Sequence, residues 1–180
     1  HCATSAPGED GKVLCAVISK HGHLTAIHRS LRSHDCIWST QGHNIQICNL
    51  YGESDGTEAT ILATSTMARE ALVRAEAGGG GPAVILGDFN ATFNDLSCAC
   101  SLTLAGWQDL HTAGTCSAST SRTLRRIDLI LGNRALRTLV RQANVAWDSG
   151  FATHATQFIY LDGSCTVPGP VWCAAPLLPI

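Results

Sequence analysis

"AVILGDFNAT", residues 83–92, is the stretch on which the fold turns. Small and branched apolar residues from Ala83 to Leu86 read as a buried strand. That strand stops at Gly87-Asp88-Phe89-Asn90, where two polar side chains flank an aromatic. In α/β sheets, ligand sites gather where strands end, because side chains and backbone groups there face solvent beside a rigid scaffold. Positions two apart on an extended backbone point to one side, so Asp88 and Asn90 are expected to converge. A carboxylate can hold a divalent cation or take a proton from water, and an amide can orient the attacked group without adding charge. Taken alone, the four residues read more simply as an Asx turn that closes the strand.

The neighbouring segments place this strand in a crossover unit. Upstream, "HNIQICNLYG" (43–52) is a second apolar strand, and "KVLCAVIS" (12–19), "GHLTAIHRS" (22–30) and "HDCIWST" (34–40) read as three more. Between 54 and 77 the apolar spacing becomes helical through Ile61, Leu62, Met67, Ala68, Ala71, Leu72 and Ala75, with Ser54 or Asp55 as the cap and Gly78 as the stop. "GGGG" (78–81) is then a return loop feeding the strand at 83–87. Downstream, the pattern predicts a short helix over 95–106, a strand over 126–132, a helix over 133–140 capped by Asn133, and a last strand over 155–162. Residues 163–180 carry four prolines and no period, and read as an irregular tail after a single domain over 1–162.

Composition narrows the function classes. At 180 residues, 45% hydrophobic and 14% charged, the chain can bury a substantial core. A net charge of −2 provides no overall field to gather nucleic acid, so a polyanion has to be held by a local cluster. No apolar run approaches the ~20 residues of a membrane helix. The start, "HCATSAPGED", has neither an initiator Met nor a signal-peptide core, and an intracellular protein, cytoplasmic or nuclear, is expected. Nine cysteines without paired Cys-x-x-Cys spacing read as small buried hydrophobes in a reducing compartment. His21, His23 and His28 lack recognised ligand spacing and read as surface residues. No Gly-x-Ser-x-Gly elbow is present.

Three further stretches weigh against a plain turn at Asp88. "NLYG" (49–52) ends another strand with Asn49 and Tyr51 two apart. "RRIDLIL" (125–131) buries Asp128 in an apolar strand, where an unpaired carboxylate costs several kcal/mol or becomes protonated. His154, just before the last strand, is the candidate partner, and an Asp–His bond suits the ring to a phosphate oxygen. Arg122, Arg125 and Arg126 read either as a solvated loop face or as contacts to a nucleic-acid backbone. Trp107 and Asp109 in "GWQDL" (106–110) are expected to seal the core and brace the loop, with Asp109 reaching the cleft as the lesser alternative.

"NLYG", "GDFN", "GWQDL", "RRIDLIL" and a His before the last strand, in that order over residues 11–162, resemble the endonuclease/exonuclease/phosphatase superfamily, and within it retrotransposon-type endonucleases. The resemblance implies a four-layer α/β sandwich, two mixed sheets face to face with helices outside, and metal-dependent hydrolysis of phosphate esters. By it, Asp88 aligns or deprotonates the attacking water and Asn90 helps hold metal or phosphate. Asp128 orients His154, and Tyr51 contacts the scissile phosphate. Asp88, Asn90 and His154 are the implied metal ligands, Asn49 lies with the phosphate contacts, and Mg²⁺ is the implied cofactor, with Mn²⁺ as its substitute. The two readings set against each other are an endonuclease on nucleic acid and an inactive remnant serving as a binding module, with inositol or lipid phosphates as alternative substrates. No membrane and no protein partner is expected. Two departures accompany the resemblance. Thr153 stands where the family has Asp, and the early strands carrying a metal-ligating Glu have no counterpart before Lys12, which reads as a domain lacking its N-terminal strands.

Overall fold

The computed structural model describes residues 1–40, 42–111, 115–117, 124–147, 154–162 and 164. Its centre is a six-stranded sheet in the order β3–β4–β5–β6–β10–β7. These strands span His23–Arg29 (β3), Ser33–Thr40 (β4), His43–Tyr51 (β5), Ala83–Asp88 (β6), Gln108–Asp109 (β7) and Asp128–Gly132 (β10). Every pairing is antiparallel except β5 with β6. Parallel neighbours need a crossover, and the helix α1, Glu58–Ala77, supplies it.

The local chemistry of α1 explains its ends. Thr57 caps the helix by accepting from the Thr60 amide, in place of the Ser54 or Asp55 expected from the sequence. Asp55 instead accepts from the Thr57 amide at 2.9 Å and the Thr60 hydroxyl at 2.6 Å, bracing the cap from outside. Glu58 and Arg74 lie in the first and last turns, each complementing the helix dipole, and Gly78 follows as the stop. The buried stripe is Thr64, Ser65, Ala68, Ala71, Leu72 and Ala75, mostly small side chains that let the helix lie close to the sheet.

The two faces of the sheet are both covered, as period-two alternation in its strands requires. Cys48 and Leu50 of β5, Ala83 and Ile85 of β6, and Leu129 and Leu131 of β10 pack with α1, Phe89, Leu102 and Trp107. Leu102 belongs to α2, Ala99–Leu104, which follows a 3-10 turn at Phe93–Asp95, so the single helix expected over 95–106 is two short pieces. On the other face, Ile45, Ile47, Val84, Leu86 and Ile130 meet Val140, Ile159 and Leu161. Those last three belong to a second sheet of two antiparallel strands, β11 (Val140–Ala146) and β12 (Thr156–Leu161). A helix α3, Arg134–Leu139, connects β10 to β11, and Asn133 caps it by accepting from the Leu136 amide at 2.8 Å. Helices, main sheet and second sheet stack as an α/β sandwich, the fold class that the resemblance implies.

Several boundaries differ from the sequence-based expectations. Of 12–19 only Ala16–Ile18 is a strand, β2, and it pairs with β1, Cys2–Thr4, a strand the pattern does not reveal. β11 lies in a stretch read partly as the end of a helix. Two short strands, β8 (Cys116–Ser117) and β9 (Leu124–Arg125), pair with each other beside the site. Cys15, Cys36, Cys48 and Cys98 are buried free thiols, while Cys2 and Cys100 are exposed ones. Residues 163–180, apart from Ser164, lie outside the described residues.

Candidate active site

Strand register assembles the site. Tyr51 of β5 stands opposite Asp88 of β6, and Asp88 opposite Asp128 of β10, so three strands present a row at one end of the sheet. Alternation puts all three on the face shared with Ile47, Leu86 and Ile130, toward the second sheet. His154 comes from the segment before β12 and closes the row: its Nδ1 lies 3.1 and 3.0 Å from the two carboxylate oxygens of Asp128. The buried carboxylate thus has the partner its apolar strand demands. Nδ1–H donating to a carboxylate fixes the ring and leaves its proton chemistry to Nε2.

Thr115, which sequence reasoning missed, ties these pieces together. It is fully buried, its hydroxyl accepts from the Asp128 amide at 3.1 Å, and its carbonyl accepts from the Ala155 amide at 2.8 Å. The residues on either side of the Asp–His bond are therefore hung on one side chain and one backbone group. No motif marks a threonine for this role, because the contact spans distant parts of the chain.

The turn after β6 follows the Asx-turn reading of "GDFN". Asp88 Oδ1 accepts from the Asn90 amide at 2.9 Å, as an Asx turn requires, and Asn90 takes φ 51°, a left-handed conformation that Asn tolerates. The strand ends at Asp88, so the two-apart convergence expected for an extended Asn90 is not what the backbone does. Instead Asn90 Nδ2 donates to the Gly52 carbonyl at 3.1 Å, binding this turn to the one after β5. Phe89 turns inward and is completely buried. Close approach explains both glycines. A Cβ on Gly52 would stand 2.2 Å from the Phe89 carbonyl oxygen, and one on Gly87, at φ 141°, 1.9 Å from that of Leu50.

The remaining sequence candidates divide by position. Arg125 is exposed and its charge acts on Asp88. Arg126 is in an ion pair with Asp109 and donates to the His111 carbonyl, so Asp109 braces an arginine. Asn49 donates from Nδ2 to the Ala16 carbonyl at 3.1 Å, toward β2. Arg122 and Thr153 lie outside the described residues. Sequence reasoning also missed Arg32, whose guanidinium carbon lies 5.4 Å from the centre of the Tyr51 ring.

Burial pushes the Asp88 carboxyl up, and the charge of Asp128 adds to it, against the Asn90 amide, His154 and Arg125, which pull it down. One ligand atom each from Asp88, Asp128 and His154 lies within 4.8 Å of the others, a group able to hold a metal ion. Two carboxylates facing each other in a partly desolvated site fit a hard divalent cation, and the imidazole admits Mn²⁺ as well as Mg²⁺.

Comparison with known proteins bears on the family and the fold. The description "Endonuclease/Exonuclease/phosphatase family" matches residues 15–150. No curated protein matches the chain. Among solved structures, the fold is similar to the endonuclease domain of TRAS1, a telomere-specific non-LTR retrotransposon, with a TM-score of 0.72 at 17% identity over 90% of this chain and 78% of that one. It is also similar to the 3'-5' exonuclease NExo from Neisseria meningitidis, with a TM-score of 0.60 at 19% identity over 90% and 79%. A third likeness is truncated TDP2 from Caenorhabditis elegans, with a TM-score of 0.63 at 14% identity over 89% and 75%. With its motifs in order on this fold, the chain belongs to the endonuclease/exonuclease/phosphatase family.

Proposed function

We propose that the chain is a divalent-metal-dependent phosphodiesterase whose substrate is nucleic acid. The observation that carries this reading is the convergence of Asp88, Asp128 and His154 at the end of β6 and β10. Asp88 takes the proton of the attacking water as its oxygen bonds to phosphorus and the ester P–O bond breaks. His154, held by Asp128, donates from Nε2 to a phosphate oxygen and offsets the charge gathering there. The Tyr51 hydroxyl contacts the same phosphate, while Asn90 and the more distant Asn49 fix the turn and strand end around it. The carboxylates of Asp88 and Asp128 would hold Mg²⁺ or Mn²⁺, leaving His154 Nε2 to the phosphate. Once bound, that ion supplies positive charge against the phosphorane-like transition state.

Nucleic acid is favoured over inositol or lipid phosphates by two facts. Arg125 is exposed and its charge acts on Asp88, which suits contact with a backbone phosphate. The structural likenesses include a retrotransposon endonuclease domain and a Neisseria 3' phosphatase bound to a product DNA hairpin. The test is turnover by the chain and by His154→Ala of duplex DNA, single-stranded RNA, an inositol polyphosphate and a lipid phosphodiester in Mg²⁺. We expect the nucleic acids to be cleaved fastest, and His154→Ala to lower that rate by about 10²- to 10⁴-fold. Faster turnover of the inositol or lipid ester would replace the substrate assignment, and equal rates for the chain and the variant would remove His154 from the chemistry.

A further inference from the structure

We infer that Arg32 is a positioning residue of this site, a clamp that sets Tyr51 and Asn90 relative to Asp88; the inference rests on the hydrolase reading above. Arg32 sits in the turn between β3 and β4, outside every motif the sequence offers, and its side chain is only 25% exposed. Four contacts converge on it. Its guanidinium lies over the Tyr51 ring, Nη1 donates to the Gly52 carbonyl at 3.2 Å, and Nε pairs with Glu53 at 2.9 Å. Its own carbonyl accepts from the Tyr51 amide at 2.8 Å. One planar cation therefore engages three consecutive residues, 51 to 53.

The Gly52 carbonyl makes this more than a local brace. It accepts from Arg32 and also from Asn90 Nδ2, so both of its lone pairs are used, one by each side of the cleft. Gly52 further donates from its amide to the Asp88 carbonyl at 2.7 Å. Removing the guanidinium frees the ring of Tyr51 and one side of the carbonyl that holds Asn90, while the Asp88–Asp128–His154 row keeps its own hydrogen bonds. A lysine cannot replace it, because a point charge lacks the fork that reaches ring, carbonyl and carboxylate together. Since Arg32 orients groups rather than donating to the substrate, its loss is expected in kcat more than in KM.

The experiment uses Arg32→Met, Arg32→Lys and Glu53→Gln with two readouts. Steady-state nuclease kinetics should show kcat for Arg32→Met down about a hundredfold with KM within threefold, as a misplacement of about 1 Å would give. Arg32→Lys should recover little, and Glu53→Gln should give a smaller loss of the same kind. The second readout is ¹³C-tyrosine NMR, which is simple here because the chain has only Tyr51 and Tyr160. Arg32→Met should move the Tyr51 ring resonance and leave that of Tyr160 in place. An active wild type with unchanged kcat in Arg32→Met, or full rescue by Arg32→Lys, overturns the clamp and leaves the hydrolase reading intact. A wild type with no turnover overturns the hydrolase reading instead, and the tyrosine spectrum then decides whether Arg32 holds Tyr51, unchanged shifts meaning that it does not. Glu53→Gln provides the same comparison if Arg32→Met fails to fold.

Discussion

At the scale of the residue, the proposed chemistry rests on unlike groups placed at the end of two strands. Asp88 has its carboxyl raised by burial and by Asp128, and it must be ionised to take a proton from water. In the metal-free chain that carboxyl should therefore titrate above the ~4 of a free carboxyl, as read by ¹³C NMR of labelled aspartate. An Asp88 resonance that titrates in the ordinary carboxylate range would show that burial does not raise it. Asp88, Asp128 and His154 were legible because each is a polar residue in or next to an apolar strand, where only a partner or a ligand accounts for it. Thr115 and Arg32 were not legible. Their partners are remote in the chain, and threonine or arginine in a turn carries no local signature. Arg126 shows the same limit from the other side, since its sequence neighbours do not reveal the pairing with Asp109.

At the scale of the element, α1 and β6 were read closely because long apolar periodicity and buried runs leave little choice of conformation. β1 and β11 were missed because three residues, or a polar alternation beside a short helix, carry too little pattern to separate strand from loop. Trp107 was expected in the core and is there, 1% exposed, but its second tie comes from tertiary structure: Nε1 donates to Glu76 of α1 at 2.8 Å. The indole thus pins the segment after α2 to the end of the crossover helix. Trp107→Ala should cost about 3–5 kcal/mol in urea unfolding followed by circular dichroism, the usual penalty for emptying so large a buried site. Trp107→Phe keeps most of the volume, loses the hydrogen bond and should cost less. Equal losses for both would show that the bond to Glu76, not packing, dominates.

At the scale of the whole molecule, two covered sheet faces leave polar groups in places where charge is costly. His34 on β4 is completely buried, and burial first, then the charge of Arg29, holds its ring below the usual imidazole range. The unfolded chain therefore takes up the proton more readily, so stability is full above about pH 6.5 and declines as pH falls below it. Thermal melts of wild type and His34→Gln should diverge between pH 8 and pH 5.5, with the wild type losing more; parallel curves would exclude His34 as the cause. With a net charge of only −2, the nucleic-acid binding that we propose would have to come from residues at the cleft. Catalysis by that cleft is tested most directly by nicking of supercoiled plasmid, comparing the chain in Mg²⁺, the chain in EDTA, and Asp88→Ala in Mg²⁺. Nicking confined to the chain in Mg²⁺ is the predicted result, and nicking that survives EDTA or the loss of Asp88 would contradict it.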